Sequence, residues 1–252
     1  MDIKMRYKIL DIIRGITLIE MIIYHGLWDL VYVFGWDFSW FKQSGAYLWQ
    51  QSICWTFILL SGFCWSLGKN KMKRGATVFL CSAIITAITV LLMPAEQIVF
   101  GVLTLLGSSM LIMIPLEKIL KKVKGEIGTT ISLLLFFVFR NINRGYLGFE
   151  QLKPLELPKE WYRNNITAFL GLPGRDFYST DYFSLFPWFF LFLAGYFLYQ
   201  WMQQKEKIRV LNKMKINVPV VEWMGKHSLV VYMLHQPIVY GILYLCNLHG
   251  II

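Results

Sequence analysis

The stretch RGITLIEMIIYHGLWD, Arg14–Asp29, sets the class of this protein. Most of its residues are apolar enough for the interior of a membrane, yet it contains an arginine, a glutamate, a histidine and an aspartate. Ionisable residues are costly in a lipid-exposed helix, and they usually face a protein interior or an aqueous cavity. The stretch therefore predicts a membrane helix with one inward-facing, functional side.

Composition extends this interpretation to the whole chain. Of its 252 residues, 56% are hydrophobic, 17% aromatic and only 16% charged, whereas a soluble domain carries about 25% charged residues. A membrane span needs roughly 20 mostly apolar residues, and the sequence contains about seven such blocks. They run approximately over residues 9–34, 46–67, 76–93, 97–116, 127–140, 182–202 and 227–247. The sequence thus predicts an all-α, polytopic transmembrane helical bundle that forms a single domain over residues 1–252.

Lysine and arginine cluster at every second helix connection. Cytoplasmic loops carry an excess of these residues, so the N-terminus and the connections after spans two, four and six are predicted to be cytoplasmic. The clusters comprise Lys4, Arg6 and Lys8; Lys69, Lys71, Lys73 and Arg74; Lys118, Lys121, Lys122 and Lys124; and Lys205, Lys207, Arg209, Lys213 and Lys215. Topology explains most of the net charge of +10, so no nucleic-acid partner is expected. We expect an integral protein of a bacterial plasma membrane, with lipids as its immediate surroundings.

The four cysteines are expected to be packing residues. Cys54, Cys64, Cys81 and Cys246 all fall inside predicted spans, and none belongs to a CxxC motif. Cys246 and His249 have CxxH spacing, but no second such pair occurs in the sequence. Neither a disulfide framework nor a metal site is therefore predicted.

One long connection interrupts the pattern of short loops. About 40 residues, 141–180, separate the fifth and sixth predicted spans on the outer side, and they are rich in glycine, proline and aromatic residues. Aromatic content argues against disorder, and long connections in compact proteins are usually functional or disordered. We expect an ordered segment that covers the outer ends of the helices.

The ionisable residues of the first span lie mostly on one helical face. Arg14 and His25 are eleven positions apart, which is three turns plus about 20°, or roughly 16 Å along the axis. Asp11 lies three residues before Arg14, and Asp29 lies four after His25, so all four share a stripe. Glu20 lies on a different face, where a structural role is expected.

This stripe has the composition of a catalytic site. A carboxylate one turn from an imidazole can accept its N–H and fix its tautomer, as a general base requires. Asp29 would serve His25 in this way. Structural alternatives remain open: Asp11 and Arg14 as an interfacial ion pair, His25 as a helix–helix hydrogen bonder, and a structural role for the histidine at position 235.

A second histidine lies near the other end of the chain. His235 and Gln236 precede Pro237 in the motif GKHSLVVYMLHQPIVYG. A proline inside a helix removes a backbone hydrogen bond and can kink the helix. We expect His235 and Gln236 to line the same cavity as the polar stripe.

Several segments resemble the heparan-α-glucosaminide N-acetyltransferase catalytic-domain family. The opening helix LDIIRGITLIEMIIYHGLWDL is similar to that of the family, and four later pieces occur in the family's order. Those pieces are SGFCWSLG (61–68), FGVLTLLGSSMLI (100–112), STDYFSLFPWFFLFLAGY (179–196) and GKHSLVVYMLHQP (225–237). The Arg14-x10-His25 spacing also matches the related membrane acyltransferase type 3 proteins, in which both residues are regarded as functional.

The resemblance implies transfer of an acyl group from cytoplasmic acyl-CoA, expected to be acetyl-CoA, to an amine or hydroxyl of a sugar or glycan on the outer side. His25 would be the general base or a transient acyl carrier, oriented by Asp29. Arg14, with Asp11, would position the donor, and His235 and Gln236 would line the cavity and could stabilise the oxyanion. The acceptor, the choice of N- or O-acylation and the oligomeric state, including a homo-oligomer, stay open.

The chain departs from the family at two positions. Family members often carry a histidine where Thr104 stands and a proline where Ser184 stands. The first departure removes a possible active-site group and leaves the identity of the acceptor open.

Two other functions compete with the enzyme. Glu20, His25 and Asp29 could equally form the proton relay of a proton-coupled small-solute transporter. Transporters usually consist of two related halves, and this sequence contains no evident repeat, which favours the enzyme. A non-catalytic scaffold or sensor is the third option.

Overall fold

The computed structural model describes residues 7–213 and 216–251, so Lys4, Arg6 and Lys215 of the basic clusters lie outside it. Within these residues the chain is predominantly helical, which confirms the all-α class. The helices are α1 (Lys8–Tyr32), α2 (Ser44–Phe63), α3 (Lys71–Leu92), α4 (Val102–Leu120), α5 (Gly125–Phe139), α6 (Asn165–Leu170), α7 (Leu185–Gln204), α8 (Val210–Lys213), α9 (Pro219–Lys226) and α10 (Ser228–Leu248). Strands β1 (Tyr146–Leu147) and β2 (Leu155–Glu156) form one antiparallel hairpin.

Five segments of the described chain are long and apolar enough to cross a membrane. They are α3, α4, α5 with the turn that follows it (Gly125–Arg144), α7 and α10. These segments correspond to the third to seventh predicted spans. The first two predicted spans form helices of 25 and 20 residues, α1 and α2, which are not among these five. The total of seven spans and the cytoplasmic N-terminus therefore stay predictions.

The chain folds as two compact units, the first comprising Met1–Phe57 and Ile208–Ile252 and the second Ile58–Lys207. In the first unit α1 packs against both α9 and α10. Leu18 and Met21 of α1 are buried with Ile53 of α2, and Val231 and Tyr232 of α10 pack against them. This apolar cluster holds α10 alongside the middle of α1.

Glycines let α1 and α9 approach to backbone contact. A Cβ atom on Gly15 would lie 2.0 Å from the carbonyl oxygen of Val221, and one on Gly225 would lie 1.8 Å from that of Asp11. No side chain fits at such separations. The contact is therefore reciprocal, because each helix supplies one glycine and one backbone carbonyl.

Helix pairs α3–α4 and α5–α7 form most of the second unit. Small residues again allow close packing: a Cβ on Gly107 would meet the Phe79 backbone at 2.7 Å, and one on Gly125 would meet that of Trp201 at 2.4 Å. Packing of small residues against a neighbouring backbone is the usual way for helices to associate in lipid. Thr104 of α4 is buried in this unit.

The 141–180 connection is ordered, as its aromatic content predicts. It contains the hairpin and α6, which begins at a capping box formed by Asn164 and Thr167. The end of this connection also binds the α3–α4 connection through backbone groups: Thr180 N–H donates to the Gln97 carbonyl at 3.0 Å, and Phe183 N–H donates to that of Phe100 at 2.8 Å. Two connections that the sequence predicts on the same side thus lie together.

Candidate functional site

A pair of histidines joins the first and last long helices. The ring centroids of His25 on α1 and His235 on α10 lie 4.9 Å apart, with the rings inclined at 61°. His25 is half-buried, whereas His235 is only 8% exposed. Residues separated by 210 positions in the chain therefore form one contact, on the face where the helical spacing of α1 places His25.

Two tyrosine rings contact the histidine pair. Tyr232 lies 5.3 Å from the His235 ring and 6.3 Å from Phe57, measured between centroids, and Tyr24 meets His25 edge-on at 6.1 Å. Hydrogen bonds are stronger where aromatic side chains lower the local dielectric. A ligand that reaches the histidines would therefore be bound in a low-dielectric setting.

Asp29 lies one turn beyond His25 and contacts the residue after His235. The Nε2 amide of Gln236 donates to both carboxylate oxygens of Asp29, at 2.9 and 3.1 Å. Asp29 is 1% exposed. A carboxylate so deeply buried needs hydrogen-bond donors, and Gln236 supplies one of them from α10.

Asp11 and Arg14 form a second polar group, toward the start of α1. Arg14 Nη1 lies 3.5 Å from Asp11 Oδ1 and donates to the Gly225 carbonyl at 3.3 Å. Glu222 of α9, three residues before Gly225, is also buried. It forms ion pairs with Lys226 at 2.5 Å and with Lys8 at 3.9 Å. Among the described residues, three cations (Arg14, Lys8 and Lys226) thus pair with the two buried carboxylates at this end.

The six residues that the sequence singles out all belong to the first unit, in two groups. One group joins α1 to α10 through two contacts, His25 with His235 and Asp29 with Gln236. Asp11 and Arg14 form the other group with α9. The helical spacing places this group roughly 16 Å away along α1. One connected cavity between the two groups stays a prediction.

Sequence reasoning missed two backbone partners. The Tyr232 carbonyl binds the Nδ1 atom of His235, and the Gly225 carbonyl binds Arg14. Backbone groups carry no signal of their own in a sequence, although Gly15 and Gly225 indicate that helices approach closely near Arg14. In the part of the chain that the structure describes, no cluster of three or more His, Cys, Asp or Glu side chains could hold a metal ion.

Comparison with protein families gives one match. Residues 6–237 match the family described as "Heparan-alpha-glucosaminide N-acetyltransferase, catalytic", a range that includes every site residue named above. Comparisons with curated proteins and with solved structures gave no match.

Proposed function

Because the chain belongs to the heparan-alpha-glucosaminide N-acetyltransferase catalytic family, which consists of membrane acetyltransferases that use acetyl-CoA, we propose that it moves an acetyl group across the membrane. The donor is cytoplasmic acetyl-CoA, and the acceptor is an amine or hydroxyl of a sugar or glycan on the outer side.

The observation that carries this proposal is the meeting of α1 and α10 at His25, Asp29, His235 and Gln236. Two imidazoles and a carboxylate–amide pair, brought together in an aromatic setting, supply the groups that acyl transfer needs. A purely structural contact between two apolar helices would not require four polar side chains.

His25 is the proposed general base. It takes the proton of the attacking amine or hydroxyl as the new bond to the acetyl carbon forms and the C–S bond of the thioester breaks. Coenzyme A leaves as a thiolate and receives that proton, so the step is balanced without another reactant. Asp29 is the proposed orienting group at this end of the site.

Arg14 is the proposed anchor for the donor. A guanidinium binds phosphate oxygens through charge-assisted, often bidentate, hydrogen bonds, and Arg14 lies on the same face of α1 as His25. Asp11 holds the guanidinium in place. Phosphate at Arg14 and the acetyl group at His25 would orient the donor along α1.

Purified protein incubated with ¹⁴C-acetyl-CoA and a series of amino sugars tests the proposal. The expected result is coenzyme A release coupled to a labelled sugar, with little release when no acceptor is added. Proton-driven solute uptake by liposomes that contain the protein, together with no acetyl transfer, would instead support the transporter.

A further inference from the structure

The short helix α9 presents an apolar face that the other described residues leave largely uncovered. Val220 is 71% exposed, Trp223 is 55% exposed, and Ile216, three residues before the helix, is 47% exposed. The opposite face is packed, because Glu222 and Gly225 are buried. Large apolar side chains are stabilised when they are removed from water, so the exposed face of α9 indicates contact with something outside the chain.

The position of α9 in the chain places it at the edge of the membrane. The helix α10, which is long and apolar enough to cross a membrane, begins at Ser228, and His227 alone separates it from α9. The 21 residues of α10 extend about 31 Å, which matches a hydrocarbon core of roughly 30 Å. The beginning of α10, and α9 directly before it, therefore lie where hydrocarbon meets the head groups.

Contacts of α1 support the same placement. Met21 of α1 and Val231 of α10 belong to one apolar cluster. Farther along both helices, Asp29 binds Gln236. The two helices therefore run in the same direction and begin at the same edge of the membrane. Because α9 packs on the beginning of α1, at the backbone of Asp11, both of its neighbours place it at that edge.

We propose that α9 lies at the level of the lipid head groups and binds acidic phospholipids. Val220 and Trp223 then enter the edge of the hydrocarbon, where tryptophan is enriched because its ring is apolar and its N–H is polar. Amphipathic helices bind membranes with the apolar face in lipid and basic residues near phosphate. This surface is distinct from the His25 site, so the inference does not depend on acetyl transfer.

The sequence before α9 supplies the complementary charge. Residues 207–218 contain no acidic residue and four basic ones, Lys207, Arg209, Lys213 and Lys215, of which the last stands four positions before Pro219. Basic clusters next to a membrane helix or on an amphipathic one attract acidic lipids. Hydrocarbon and phosphate lie side by side only at the bilayer surface, which is why lipid suits an apolar face beside a basic segment.

A fluorophore on the exposed face of α9 tests the depth. Val220→Cys and Trp223→Cys, each in a chain without its four native cysteines, are labelled with an NBD group and placed in vesicles of equal phosphatidylcholine and phosphatidylglycerol. A nitroxide on the lipid should quench both labels, most strongly when it is near the head group, and aqueous iodide should quench them weakly. Asp176→Cys, at an exposed polar position of another connection, is the water-accessible reference.

Two results would overturn the placement. Iodide quenching at positions 220 and 223 equal to that at position 176 would show that the face of α9 is in water. Weak quenching by both iodide and lipid nitroxide would show that protein, a second copy of the chain or another partner, covers the face. Two labelled positions on the same exposed face make the result independent of either substitution.

The preference for acidic lipid is measured with the label at position 223. Nitroxide-bearing phosphatidylglycerol should quench it about five times more effectively than nitroxide-bearing phosphatidylcholine, the factor that one basic residue near an acidic surface contributes. Lys213→Gln combined with Lys215→Gln should bring this ratio toward one. Equal quenching by the two lipids without these substitutions would overturn the preference.

A matched double substitution separates local from overall charge. Lys69→Gln with Lys73→Gln removes the same charge from exposed positions of another basic connection, and it should leave the quenching ratio at position 223 unchanged. An equal fall of the ratio in this control would show that the net charge of the protein, rather than the segment before α9, attracts the lipid, and the assignment would be wrong.

Discussion

His25 and Asp29 are one helical turn apart, and each contacts a different residue of α10. His25 faces His235, and Asp29 binds Gln236. Because two contacts join the same pair of helices, the placement of each of these four side chains depends on the other three. Substitution of one residue should therefore be interpreted through both rate and stability.

Removal of the His25 imidazole is expected to lower the rate without unfolding the protein. Loss of a general base typically reduces turnover about 10²–10⁴-fold, so His25→Ala should lose at least that factor while Tm changes little. Asp29→Asn should cause a smaller loss. Turnover and Tm measured on the same purified variant separate catalysis from packing.

His227→Ala is the matched control, since that histidine is exposed on the neighbouring α9–α10 junction. A folded His25→Ala protein with near-normal acetyl transfer would show that His25 is not the base.

Arg14→Ala is expected to weaken acetyl-CoA binding more than it weakens folding. A hydrogen bond to a charged group contributes about 1.5–3 kcal/mol, so Kd should rise roughly 10- to 100-fold. Calorimetric titration with acetyl-CoA measures the change, and exposed Arg175→Ala is the control. An unaltered Kd in Arg14→Ala would place the anionic end of the donor elsewhere.

At the scale of elements, the closest contact is the backbone packing of α1 on α9. Gly15→Ala should destabilise the protein, because the new methyl group would lie 2.0 Å from the Val221 carbonyl oxygen. Overpacking of this kind costs about 1–3 kcal/mol, so Tm should fall by several degrees. Thermal unfolding in detergent measures the loss.

Gly241→Ala on α10 is the matched substitution. Nothing lies within 4 Å of a Cβ at that position, and alanine favours a helix by about 1 kcal/mol over glycine. Its Tm should stay constant or rise. Equal Tm changes in the two variants would indicate that the α1–α9 contact is looser than described.

The start of α4 provides a pH-dependent element. Asp181 accepts the Val102 N–H at 3.4 Å, and burial raises the pKa of Asp181 from 3.8 to about 6. Because the folded state favours the protonated acid, its contribution to stability is complete below pH 3.8 and is lost as pH rises through about 6. Asp181→Asn keeps an acceptor for Val102 and removes the titration.

The wild type should therefore lose Tm relative to Asp181→Asn between about pH 4 and pH 7. Asp176→Asn, an exposed substitution in the same connection, should track the wild type. Parallel Tm curves for wild type and Asp181→Asn would mean that the carboxyl group titrates equally in the folded and unfolded chain.

At the scale of the whole molecule, the open question is how often the chain crosses the membrane. With seven spans, Gln43 and Glu96 lie outside and Lys69 and Lys122 inside. Single cysteines at these positions, in a chain without its four native cysteines, should react with an impermeant maleimide on intact cells only at positions 43 and 96. Labelling of positions 43 and 69 from the same side would show that α2 does not span.

The sequence predicts the helical class and the polar face of α1, because both depend on local periodicity. It does not predict that Asp29 would bind Gln236, 207 positions away, since helical spacing fixes a face but not its partner. Nor does it predict that the Tyr232 carbonyl contacts Nδ1 of His235, since backbone groups carry no signal of their own in a sequence. Span ends shift for local reasons: α4 begins at Val102 rather than residue 97 because Phe100 has φ +58° and Gly101 is extended.

The glycine contact between α1 and α9 fixes the position of one helix along the other. Backbone atoms that meet at Gly15 and Gly225 leave no space for one helix to slide along the other. Arg14 and His25 both lie on α1, so the helix itself fixes their separation at roughly 16 Å along the axis. A donor anchored by its phosphates at Arg14 reaches His25 only if its arm has the matching reach. The length of the donor's arm, rather than recognition of its acetyl group, would then select the donor.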